Sequence, residues 1–178
     1  MVSLTMNAKQ NLLLTGRPGC GKTTIVRRFV EGYSGRVGGF YTEEIRKGGQ
    51  RVGFRIVTLD GRTGILAHQS VKSPYRVSKY GVKIEDIDGI AVPALLAAVG
   101  TADLIVIDEL GRMELYSERF RQAALNALDS PCALLGVIQD RRHPFLDAVR
   151  SRGDTTILRV TAGNRDRLPD RLREWASP

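Results

Sequence analysis

The sequence predicts an α/β fold of three layers: a largely parallel sheet flanked by helices, carrying an antiparallel β-hairpin insertion. Three observations predict it. Short, wholly apolar runs at residues 12–14, 104–107 and 133–138 alternate with longer segments of helical periodicity, the pattern of strands buried on both faces. The first run leads through a glycine-rich loop into a helix, and the second ends on two carboxylates, Asp108 and Glu109. Between them lies a β-rich block from Gly38 to Ala67 with glycine turns, which does not follow the strand–helix alternation.

Taken in order, residues 1–9 are expected as a loose tail, with Met6 an alternative start, ahead of a single domain over 10–178. Residues 11–15 read as a buried strand and 23–30 as a helix. Residues 38–46 and 52–59 are strands, and Lys47-Gly48-Gly49-Gln50 between them is a hairpin turn signal. A further short strand at 64–67 follows Asp60-Gly61-Arg62. From Ile84 the spacing becomes helical, with Ile87, Ile90, Ala91, Ala94, Leu95, Ala98 and Val99 on one face and a kink expected at Pro93. Then come a strand at 104–107, a helix at 117–128, a strand at 133–138 and a helix after Pro144. A weaker edge strand at 156–160 and a closing helix from about Asp166 complete the chain.

A chain of 178 residues with 42% apolar content suits one domain with a full core. No segment reaches the length of a membrane span, and residues 1–10 lack a charged stretch followed by an apolar one, so a cytoplasmic monomer is expected. Cys20 and Cys132 fall in a loop and at a strand start, neither placed as half of a disulfide. The net charge of +8 is spread along the chain, and aromatics make up only 6%. This favours a solvated basic surface that attracts polyanionic nucleotides over a dedicated nucleic-acid face.

Gly16-Arg17-Pro18-Gly19-Cys20-Gly21-Lys22-Thr23 fits G-x-x-x-x-G-K-[ST] without a gap, with Thr24 following. Lying between a strand and a helix, it has the context of a phosphate-binding loop. In that geometry the loop amides and the helix dipole converge on phosphates. Lys22 then reaches the β- and γ-phosphates and the Thr23 hydroxyl ligates Mg²⁺. A bare glycine turn has no need of the Lys-Thr pair. A nucleoside triphosphate is therefore the expected ligand.

Asp108-Glu109 at the end of an apolar strand is a Walker B ending, at the carboxyl edge where open α/β sheets bind ligands. Asp108 is expected to hold Mg²⁺ through its water shell, and Glu109 to orient a water for attack on the γ-phosphorus. Glu114 is the competing carboxylate, expected to matter less because the chain should have left the strand edge by then. Gln139 and Asp140, at the tip of the next strand, should lie beside this site. Arg17, Arg112, Arg141 and Arg142 are candidates for stabilising transition-state charge, and the sequence does not choose among them. His143-Pro144 equally fits a helix start.

The loop GRPGCGKTT, the strand GFYTEEIR (39–46), GFRIVTLDG (53–61), VIDELGRMEL (106–115), the D-x-x-H-P of 140–144 and Asn164-Arg165 occur in this order in the thermophile-type nucleoside-triphosphatases. The chain resembles that family, which includes the cancer-related nucleoside-triphosphatase, over nearly its whole length. The resemblance implies the P-loop NTPase fold and a slow Mg²⁺-dependent phosphohydrolase that cleaves the γ-phosphate of several nucleoside triphosphates with little base selectivity. It also implies Glu109 as the water-positioning base and a late loop at Asn164-Arg165 near the base or ribose, although capping explains Asn164 equally well. Thr42, Glu43 and Glu44 match without an assigned role, and the tail is longer than the family usually carries. Two other readings differ in kind: a kinase, needing an acceptor pocket and an arginine-bearing lid, and a nucleic-acid-coupled nucleotide switch, supported by the basic charge alone.

Overall fold

The computed structural model describes residues 11–177. The expected tail and the alternative start at Met6 lie outside the described residues. In chain order the elements are β1 (Asn11–Thr15), α1 (Lys22–Glu31), β2 (Val37–Lys47), β3 (Gln50–Thr58), β4 (Thr63–His68), β5 (Arg76–Val77), β6 (Tyr80–Val82), α2 (Ile84–Asp86), a π turn (Ile87–Ala91), α3 (Val92–Ala98), β7 (Leu104–Leu110), α4 (Glu118–Asp129), β8 (Ala133–Ile138), α5 (Pro144–Arg150), β9 (Thr155–Arg159) and α6 (Leu168–Ala176). All strands join one mixed sheet in the order β5-β6-β4-β3-β2-β7-β8-β1-β9.

The half containing β2, β7, β8, β1 and β9 is parallel. Its apolar runs are continuous because alternate side chains enter different cores. Leu13, Ile105, Ile107 and Leu134 face the layer holding α3, α4 and α5, whereas Leu12, Leu14, Leu104, Val106 and Leu135 face α1 and α6. β9 is the parallel edge, as its weaker pattern predicts. Among the described residues no helix is long and apolar enough to cross a membrane.

The antiparallel part is larger than the expected hairpin. β3, β4, β6 and β5 add to β2 in turn, so the insertion widens the main sheet. The hairpin of β5 and β6 escaped the sequence reading because each strand is two or three residues long, too short for alternation to register. Gly39 explains how β2 serves both halves: its φ is 106°, and a Cβ there would stand 2.0 Å from the carbonyl oxygen of Val106. Only glycine lets β2 lie against β7 at this point.

The expected kink at Pro93 takes a specific form. Pro93 sits in the first turn of α3, where it has no N–H for the carbonyl four residues back and its ring would crowd that group. The preceding π turn over Ile87–Ala91 supplies a wider turn that accommodates both. Ile87 and Ala91 remain buried in the core despite the change of pitch.

Candidate active site

The carboxyl ends of β1, β7 and β8 meet at one edge of the sheet. From β1 the chain enters residues 16–21, where Gly16, Gly19 and Gly21 all have positive φ. A Cβ on Gly16 would lie 2.7 Å from the Val160 carbonyl oxygen, so the loop starts pressed against the segment after β9. Gly21, left-handed at φ 99°, caps α1 and leaves no acidic side chain in the first helical turn. The positive end of the dipole therefore faces the loop uncompensated. Lys22 Nζ donates to the carbonyls of Gly16 and Arg17, both at 2.8 Å, and lies 3.7 Å from Cys20 Sγ. Its ammonium is thus held at the mouth of the loop.

Asp108, at the end of β7, is 1% exposed. Burial first, and then the Glu109 charge, push its carboxyl up to about 7, opposed by a hydrogen bond from Thr23 and the charges of Arg27 and Lys22. Its Oδ2 has no hydrogen-bond partner. Glu109 falls in an irregularity of the β7–β8 ladder, where Asp108 opposes Val137 and Leu110 opposes Ile138. Its Oε1 accepts from Gln139 Nε2 at 3.1 Å, and Gln139 Oε1 accepts from the Arg112 N–H at 2.8 Å. Burial raises the Glu109 carboxyl, while Gln139 and Lys22 oppose the shift.

Glu114 departs from the expectation that it stands apart from the site. The chain does leave β7 at Leu110, but the Leu115 N–H then bonds to the Gly111 carbonyl at 3.1 Å and Leu115 enters the core. That turn carries Glu114 inward, to 2% exposure. Its carboxyl is pushed well above the ordinary 4.5 by burial and then by Glu109 and Asp108, partly opposed by the backbone N–H groups of Glu114 and Gly111. Among the described residues no group of three or more His, Cys, Asp and Glu side chains is placed to hold a metal.

Gly16, Arg17, Pro18, Gly19, Gly21, Lys22, Thr23, Thr24, Asp108 and Glu109 all line one cleft of about 1470 Å³. Cys20 does not line it; its sulfur turns towards Lys22. Asn164 and Arg165, expected near the base or ribose, are not among the residues lining it. The reason is local: Asn164 Oδ1 accepts from the Thr161 N–H at 2.8 Å and its Nδ2 donates to the Arg159 carbonyl at 2.7 Å. The amide shapes the turn after β9, and Arg165 is exposed. Of the candidate arginines, Arg17 and Arg141 reach the cleft. Arg112 contributes its backbone to Gln139, and Arg142 pairs with Asp147 at 3.0 Å. His143 caps α5, its Nδ1 accepting from the Phe145 N–H, so the helix-start reading describes it.

The sequence reading left the far wall of the cleft without roles. β2 pairs with β7 only from Val37 to Phe40, so its remaining residues project past the parallel edge. Glu43 there bonds Arg27 at 2.7 Å and Arg55 at 3.0 Å, and Arg27 stacks over Tyr41. Glu44 pairs with Arg46 and Arg51, while Phe54 and Tyr80 form an edge-on ring pair 5.3 Å apart. The signal was the GFYTEE segment, whose Tyr41 and Glu43 are tied to the loop helix through Arg27.

The half-exposed Cys20 and the buried Cys132, whose Sγ donates to the Ala102 carbonyl at 3.3 Å, make a direct probe of this geometry. A maleimide is expected to modify Cys20 and inactivate the protein, bound nucleotide to protect it, and Cys132 to react only on unfolding. Mass mapping that finds Cys132 labelled first would contradict the arrangement.

This constellation can be compared with known proteins. The chain matches the NTPase family over residues 11–173. It belongs to that family. The nucleoside-triphosphatase THEP1 of Thermofilum pendens is 46% identical, with 96% of this chain and 97% of that protein covered. The crystal structure of THEP1 from Aquifex aeolicus superposes with a TM-score of 0.87 at 32% identity, covering 94% of this chain and 99% of that one. The solution structure of a human cancer-related nucleoside triphosphatase gives 0.78 at 36% identity, with 93% and 96% covered. Family membership thus spans both halves of the sheet, the antiparallel insertion included.

Proposed function

We propose that the chain hydrolyses nucleoside triphosphates to the diphosphate and phosphate, as one domain over residues 10–178. The observation that carries this reading is the convergence in one cleft of the Lys22 loop, the Thr23–Asp108 pair and Glu109. The names of the relatives, nucleoside-triphosphatases, agree with it. In this reading the backbone N–H groups of residues 19–23 bind the phosphates, and Lys22 moves its ammonium from the loop carbonyls to the β- and γ-phosphates. A water held by the free oxygen of Glu109 attacks the γ-phosphorus, the bond to the β,γ-bridging oxygen breaks, and Glu109 takes up the water's proton. Raised by burial, its carboxylate is a stronger base than a solvated one.

Mg²⁺ fits the donor set. The orphaned, buried Asp108 Oδ2 and the Thr23 hydroxyl are hard oxygen donors of the kind Mg²⁺ takes alongside its waters. When bound, the ion would neutralise charge on the phosphate oxygens. Low base selectivity belongs to the same proposal and is supported by the Asn164 amide being committed to its own turn. The reduced thiols of Cys20 and Cys132 suit the cytoplasm.

Phosphate release from a panel of nucleoside triphosphates, with and without Mg²⁺ and with and without hydroxyl-bearing acceptors, tests the reading. Free phosphate without an acceptor supports it; transfer seen only with an acceptor would make the protein a kinase. Asp108→Asn is expected to raise the Mg²⁺ concentration for half-maximal rate by about tenfold, the scale of losing one charge-assisted contact. An unchanged Mg²⁺ titration would remove Asp108 from the metal site.

A further inference from the structure

We infer that Gln139 is the positioning residue for Glu109, fixing which carboxylate oxygen faces the attacking water. The inference rests on the proposed role of Glu109. Gln139 is the first residue past β8 and is held at every polar group. Its backbone N–H donates to the Leu110 carbonyl at 3.1 Å, and its carbonyl accepts from the Arg150 guanidinium. Its side-chain carbonyl accepts from the Arg112 N–H at 2.8 Å, which leaves its NH₂ to donate to Glu109 Oε1 at 3.1 Å. The amide cannot be turned over: that would set its oxygen against a carboxylate and its NH₂ against an N–H donor. One orientation is therefore dictated by two partners of opposite kind.

Glu109 needs such a support because the ladder does not give it one. The register passes from Asp108 opposite Val137 to Leu110 opposite Ile138, leaving Glu109 without a cross-strand partner. A side chain at the tip of β8 replaces the missing restraint and engages only Oε1. Gly111 completes the arrangement. A Cβ there would stand 2.8 Å from Glu109 Oε1 and 3.0 Å from Gln139 Cδ and Nε2, so any larger residue would push this pair apart.

The test compares Gln139→Leu, Gln139→Asn and Gly111→Ala with the parent, alone and combined with Glu109→Gln. Single-turnover hydrolysis and direct nucleotide binding are measured on each folded variant. Losing one hydrogen bond to a charged group corresponds to roughly ten- to hundredfold, and Gln139→Leu is expected to lose that much in kcat while triphosphate affinity stays within about twofold. Gln139→Asn keeps an amide and a polar surface but is one methylene short of spanning Arg112 and Glu109, so it should lose kcat in the same way even if the leucine variant folds poorly. The decisive readout is the double variant. If Gln139 acts through Glu109, Glu109→Gln combined with Gln139→Asn is no slower than Glu109→Gln alone; a merely structural residue would show multiplied losses. A crippled Glu109→Gln beside unimpaired Gln139 variants, or multiplied losses in the double, overturns the positioning role. Full turnover by Glu109→Gln overturns Glu109 as the base, and the positioning role with it, while leaving hydrolysis itself in place.

Discussion

Lys22→Ala is expected to abolish phosphate release and to weaken triphosphate affinity by tenfold or more. The ammonium is the charged donor at the mouth of the loop, and its two oxygen partners, the Gly16 and Arg17 carbonyls at 2.8 Å, are neutral. A triphosphate offers it charge, and charge-assisted hydrogen bonds are worth about 1.5–3 kcal/mol each. The same contact strengthens as negative charge shifts in the transition state, so both binding and rate fall. Loss of the side chain also leaves the two carbonyls free to rotate, which makes the loop less preorganised for anions. Nucleotide titration and phosphate release on the variant check this together. Full activity would remove the phosphate-binding assignment from residues 16–23.

Much of this site could be read from the chain because its determinants are local. The loop, the helix start and the two carboxylates each lie within a few residues of an apolar strand, and strand position alone brings β1 and β7 to the same edge. The burial of Cys132 and the edge position of β9 were legible for the same reason. What was not legible depends on contacts distant in sequence. Glu114 is placed by Leu115 entering the core; Asn164, by contrast, is held by groups three and five residues away, in line with the capping its sequence context allowed. Arg27 meets Glu43 sixteen residues on only because β2 outruns β7. The antiparallel half of the sheet was under-read because a hairpin of very short strands has too few residues to show a period.

Glu109→Gln is expected to lower the turnover rate by about 10²–10⁴-fold, the range for a lost general base, with nucleotide affinity nearly unchanged. The amide still accepts from Gln139 but cannot take a proton, and a residue acting on the water contributes mainly in the transition state. Glu114→Gln is the control, and the structure changes the reason for expecting less of it. Glu114 is buried, does not line the cleft, and has its carboxyl pushed well above the ordinary range, so a neutral side chain of nearly the same size should change turnover by less than about threefold. Glu114 also carries a pH-dependent cost in stability. Because the folded-state pKa of Glu114 lies well above the ordinary 4.5, the folded protein holds a proton that the unfolded chain releases. This group therefore costs stability increasingly as pH rises from about 4.5 towards its folded value. Glu114→Gln removes that dependence, so its melting temperature relative to the parent should rise between pH 5 and pH 7, an interval chosen to begin just above the unfolded carboxyl pKa. If Glu114→Gln instead loses turnover while Glu109→Gln keeps it, the buried acid is the base and Glu109 only its neighbour.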